Sequence, residues 1–209
     1  MTHTLHRSGT RESLSGDYVF LFMPAFGINS ANCGPKLRKF LEITLRYNPV
    51  NIGDTKRGNM YSLDVQNILD NVNKDGTVVH AVFDNEKVAA EALKELKEAD
   101  LGLSLVVSGI FDRVKEHCQK AGIHRHAVTY SLGIWGKTEK LPPEQSLDII
   151  TMCGHGMVSA ALIDSLAEEV KAGRKSTDDA VKEMAKQCDC GIFNTTRAAK
   201  LLTALIEAK

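Results

Sequence analysis

The chain has 209 residues, 43% hydrophobic and 25% charged, with 26 Lys and Arg set against 26 Asp and Glu. That balance leaves no net field to draw in nucleic acid or an anionic membrane, so neither is an expected partner. No apolar run reaches the roughly 18–20 residues of a membrane span, and residues 1–16 lack the apolar centre of a secretory signal, which makes the cytosol the expected compartment. Thiols stay reduced there, and five cysteines is an odd number, so they read as thiols or metal ligands rather than disulfides.

The N-terminal stretch Thr2-His3-Thr4-Leu5-His6-Arg7 reads as a loose arm whose two histidines could reach one site. Tyr18–Met23 (YVFLFM), between Gly16 and Pro24, reads as a buried strand. Pro35 opens a helix with Leu37, Phe40, Leu41 and Leu45 inward, and Asn48-Pro49 ends it. Residues 50–60 look irregular. Ser62 is the expected cap of a second helix, and Asp75-Gly76 the turn after it. Residues 77–83 (TVVHAVF) and 103–107 (LSLVV) read as strands on either side of a helix over 84–101. A helix over 110–121 stops at Gly122, and 127–135 reads mostly as a strand.

Strands alternating with helices over residues 17–135 imply an α/β fold: a mainly parallel sheet of about four to five strands with helices on both faces. Past Pro142-Pro143 the character changes, which divides the chain into a sheet domain (1–140) and a helix-rich segment (141–209) packed on it, or one domain holding both. Residues 147–152 (LDIITM) fit a strand or the end of a helix. Helices are expected over 157–172, over 177–187 behind the Ser176 cap, and over 195–208.

Chemistry concentrates at Cys153-Gly154-His155-Gly156 and Cys188-Asp189-Cys190-Gly191. Both segments sit at expected helix boundaries with glycines that let the backbone bend. If the flanking helices pack antiparallel, Cys153, Cys188 and Cys190 can face one point, a set suited to an iron–sulfur cluster or to zinc with His155 as fourth ligand. The same residues also read as small buried hydrophobes. A second reading makes Cys153 a nucleophile with His155 as its base, and Gly154 and Gly156 open the backbone N–H groups to an anion. Asn194 and Arg197, at the start of the last helix, could serve an anionic ligand, although Arg197 equally suits a surface ion pair. Lys56 and Arg57, flanked by glycines, are candidate contacts to a substrate phosphate or carboxylate.

His80 reads as a core residue, His117 as exposed, and Met157 as core. There is no Walker A motif, nucleophile elbow, HExxH, CxxC or EF-hand loop. Three functions follow as expectations: an enzyme or metabolic accessory protein with a cysteine-ligated metal or iron–sulfur site, a metal-free Cys153 enzyme, or a non-catalytic domain binding a small anion. A homo-oligomer is compatible with each.

Overall fold

The computed structural model describes residues 4–72 and 76–208. His3 of the arm and Asp75 of the expected turn lie outside the described residues. Five strands form one sheet in the order β3-β2-β4-β1-β5: β1 (Tyr18–Met23), β2 (Asn51–Asp54), β3 (Gly58–Asn59), β4 (Val79–Phe83) and β5 (Ser104–Ser108). Every neighbouring pair is antiparallel, which overturns the expected parallel sheet.

The error has a physical origin. β1 and β2 are joined through α2 (Gly34–Leu45) and run parallel, as are β4 and β5 through α4 (Glu86–Ala99). In each unit the crossover skips one strand position, and a strand of the other unit, running the opposite way, fills the gap. The result is the split β-α-β arrangement. Alternation of strands and helices along the chain is the same whether or not a crossover skips a position.

Both faces of the sheet are covered. Tyr18, Phe20, Phe22, Val79, Ala81 and Phe83 pack under α2, α3 (Val65–Asp70) and α4, with α5 (Phe111–Lys120) at the β5 side. Val19, Leu21 and Val82 face the opposite layer of α6 (Glu144–Ile150), α7 (Ala160–Lys171), α8 (Thr177–Gln187) and α9 (Thr195–Glu207). With a covered face on each side, strand side chains are apolar in both directions, and Tyr18–Met23 reads that way in sequence.

Several expectations shift. Residues 147–152 resolve as the end of α6 and the turn after it. The segment 50–60, expected to be irregular, forms the β2–β3 hairpin, with Asp54 accepting from the Lys56 backbone N–H at 2.8 Å. Asp64, not Ser62, caps α3. His117 is buried, its Nε2 3.3 Å from Glu86 Oε1, while Met157 is exposed and α7 begins only at Ala160. Residues 127–135 form no strand. Val128, Tyr130, Leu132 and Ile134 alternate as a strand would, but all are exposed; Gly133 interrupts the run at φ +96° and Gly136 follows it at +93°.

The arm is tied down from residue 4 onward. Thr4 is buried with its hydroxyl 2.6 Å from that of Ser108. Arg7 and Arg197 both reach the fully buried Asp17, at 2.5 Å and 3.1 Å. Arg197 is therefore a buried partner of a carboxylate rather than a surface one.

Two outcomes follow. Removing one member of a buried ion network leaves the others uncompensated, so Asp17→Asn is expected to lower unfolding stability by about 3–5 kcal/mol, measured by urea titration. Trp135, the single tryptophan, is 83% exposed. Its emission should resemble that of tryptophan in water, with iodide quenching nearly unchanged by unfolding. A blue-shifted, protected emission would show the 127–135 segment docked on something.

Candidate functional site

The two cysteine segments meet between the sheet and the C-terminal helices. Cys153 follows the C-terminus of α6, not the start of α7 as the sequence suggests. Cys188 is the C-cap of α8, and Cys190 lies two residues on in the loop to α9. All three are buried, with 2%, 0% and 4% of their surface exposed, whereas His155 and Asp189 are exposed. Cys188 Sγ is 3.9 Å from Cys190 Sγ, and Cys190 Sγ is 3.7 Å from His155 Nδ1. Cys153 lies close enough to Cys188 for the two thiols to shift each other's ionisation.

The loop is held carbonyl by carbonyl. Asn59 Nδ2 on β3 donates to the carbonyls of Ala185 and Cys188 at 3.0 and 2.9 Å. Asn51 Nδ2 on β2 donates to Phe193 O at 3.0 Å. Arg7 Nη2 donates to Met152 O at 3.1 Å and to Ile192 O. Between these anchors the Cys190-Gly191 backbone lies flat on β2. A Cβ on Gly53 would sit 2.5 Å from Cys190 O, and one on Gly191 would sit 2.6 Å from Ile52 O, with Gly191 at φ +76°. Only glycine fits both positions. Buried His80 pairs in register with Gly53 and, by strand alternation, points to this same face of the sheet.

The thiols differ electrically. Cys190 is held below the ordinary thiol value, first by the hydrogen bond from Cys188 and then, against the cost of burial, by the Ile192 backbone N–H. For Cys188 the bond from Cys153 pulls downward, but its own donation to Cys190 and its burial carry the value up to about 12. Cys153 is pushed up further by its bond to Cys188 and by desolvation. Cys190, lowered while Cys153 and Cys188 are raised, is the first of the three to ionise.

The remaining candidates are placed as follows. Gly154 and Gly156 are exposed beside His155, with Gly156 at φ +72°. Asn194 caps α9 through Arg197 N–H at 2.9 Å and donates to Gly16 O and Asp17 Oδ1. Arg197 donates to Ser13 Oγ, Ser8 O and Asp17, so both residues are committed to the N-terminal arm. Lys56 Nζ donates to Gly76 O and Arg57 Nε to Asn71 O, at the β2–β3 turn. Sequence reasoning missed Arg7, Asn51 and Asn59, because nothing in a lone arginine or asparagine marks which distant carbonyl it will meet.

Among the described residues, no three His, Cys, Asp or Glu side chains stand ready to hold one metal ion, and no helix is long and apolar enough to cross a membrane. Cys153 and Cys188 stay protonated in the fold, whereas their unfolded counterparts ionise near the ordinary value of 9.0. Their contribution to stability is therefore complete below pH 9 and lost as pH rises toward 12. The melting temperature is expected to fall between pH 9 and 11, and less steeply in Cys153→Ser. An equally steep fall in that variant would remove Cys153 from the effect.

Comparison with protein-family models, with curated proteins and with solved structures gives no match to this chain.

Proposed function

We propose that the chain is a peroxide-reactive dithiol protein, with Cys190 as the attacking thiolate, Cys188 as the second thiol and His155 as the proton donor. One observation carries this reading: the Cys190 sulfur has a second thiol at 3.9 Å and, at 3.7 Å, the imidazole Nδ1 of the exposed His155. The burial of Cys190 favours a small oxidant over a bulky disulfide.

In the first step Cys190 S⁻ attacks one oxygen of hydrogen peroxide. The O–O bond breaks, Cys190 becomes a sulfenic acid, and the departing hydroxide takes a proton from the His155 imidazolium to leave as water. In the second step Cys188 sulfur attacks Cys190 sulfur. The S–S bond forms, the S–O bond breaks, and the leaving hydroxide takes the Cys188 proton. The dithiol loses two electrons, peroxide gains them, and two waters result. An external thiol reductant restores the dithiol.

The expected outcome of one equivalent of peroxide is loss of two of the five thiols and a Cys188–Cys190 disulfide on peptide mapping. Cys188→Ser should retain the Cys190 sulfenic acid, detectable with dimedone, and Cys190→Ser should lose the reaction. Oxidation of Cys190→Ser at the wild-type rate would overturn the proposal.

A second reading rests on the same convergence: one thiophilic ion held by Cys153, Cys188, Cys190 and His155. A tetrahedral zinc with bonds of about 2.3 Å holds its sulfurs about 3.8 Å apart, close to the Cys188–Cys190 spacing. A [4Fe–4S] cluster takes one thiolate on each iron and spreads them more widely. Of the four ligands a zinc ion would need, Cys153 and His155 would each have to turn toward the Cys188–Cys190 edge. Stoichiometric zinc in protein purified without chelator, with slowed peroxide oxidation, would favour this reading.

A further inference from the structure

We propose that two copies of the chain pair reciprocally, independently of the thiol chemistry, the 128–134 segment of each adding as a strand to the free edge of β5 in the other.

Each of two features in one molecule lacks what the other offers. β5 is an end strand that pairs only with β1. Among the described residues, no further backbone hydrogen bond reaches its outer side. An open strand edge is a template for another strand. Beside it runs a groove of about 780 Å³ with Leu93, Leu96, Leu105, Val107, Val114 and Ile123 in its wall. The segment over 128–134 is a strand without a sheet. Val128, Tyr130, Leu132 and Ile134 recur at every second position, and all are exposed. Among the described residues, no backbone–backbone hydrogen bond involves 124–135. Laid along β5, the segment would send these four side chains toward the Leu105 and Val107 side. Trp135, of the opposite parity, would then come to the side of Val106, which is itself exposed.

The occupant is a second copy because the chain's own segment is held off. Thr4 Oγ1 lies 2.6 Å from Ser108 Oγ at the end of β5, and His6 Nδ1 lies 3.0 Å from Ser131 Oγ. The N-terminal arm therefore stands between β5 and the segment of its own chain. Gly133, at φ +96°, turns that segment out of line, and glycine can equally become extended when a partner edge is offered. Exchange between two copies satisfies both features at once and closes with two-fold symmetry.

The area suits a stable dimer. A buried aromatic side chain covers about 150–250 Å², so Tyr130 and Trp135 from both copies supply up to roughly 600–1,000 Å². Val128, Leu132, Ile134 and the β5 edge of each copy carry the total past the roughly 1,200 Å² at which stable specific interfaces begin.

The experiment is sedimentation velocity on the full chain, under reducing conditions, from low to high micromolar concentration. Trp135 emission and amide hydrogen exchange are read on the same samples. The expected result is a monomer that becomes a dimer as concentration rises. Trp135 emission shifts to the blue in step, and exchange slows in both β5 and 128–134. Leu132→Lys and Tyr130→Lys alter side chains that face solvent in the single copy. Each should melt like wild type when dilute and weaken dimerisation about tenfold or more. A wild type that stays monomeric with Trp135 exposed would overturn the inference. So would a monomer whose Trp135 is protected at every concentration, since the segment would then be docked within its own chain. A dimer that survives both substitutions, or that leaves β5 exchange unchanged, would place the contact elsewhere and overturn it equally.

Discussion

Asp17 sits at the entry to β1 with its side chain fully buried and two guanidinium groups on it. A buried carboxylate is costly unless its lone pairs are used, and here Arg7, Arg197 and Asn194 use them. Each partner carries a different part of the chain to the same point: the N-terminal arm, the start of α9 and, through Arg7, the two cysteine loops. Burial pulls the Arg197 guanidinium below its ordinary value even with Asp17 beside it. The network is therefore held in place by the packing around it as much as it holds that packing. Its geometry, rather than its energy, is what the rest of the molecule uses.

How much of this was legible in the sequence depended on range. Local signals held: the apolar run of β1, the Ser176 cap that opens α8, and Gly122 closing α5 at φ +66° are each decided within a few residues. Strand direction was not local. Residues 77–83 and 103–107 read correctly as strands, but nothing in them says that β4 lies between β1 and β2, or that β1 lies between β4 and β5. The segment 127–135 failed for the opposite reason. Its alternation is that of a strand, yet no pairing forms beside β5, and propensity without a partner does not make a sheet.

The candidate site divides in the same way. The residue types and glycines of residues 153–156 and 188–191 pointed to bends and to sulfur chemistry, and the fold brings those sulfurs together. Which thiol ionises first was not readable. The sequence placed Cys153 at a helix N-terminus, where a thiolate is favoured, but the helix begins at Ala160, and Cys153 instead follows the C-terminus of α6. The asymmetry is a matter of contacts between segments 35 residues apart in the chain, with Cys190 lowered and Cys153 raised.

The close approach at Gly53 and Gly191 explains why the site sits where it does. A loop that leaves a helix C-terminus has carbonyls to satisfy. Here the sheet supplies the donors, Asn59 and Asn51, while the missing side chains on both glycines let the loop lie against β2. That contact fixes the Cys190 backbone from below, and Arg7 fixes it from the side. His155, on an exposed turn, is the one member of the sulfur–imidazole set not held by either. The arrangement thus combines a rigid, buried sulfur with a solvent-facing imidazole, and the proposed peroxide reduction uses both. A thiolate needs fixed donors to stay ionised, whereas the group that delivers protons to a leaving hydroxide must exchange them with water.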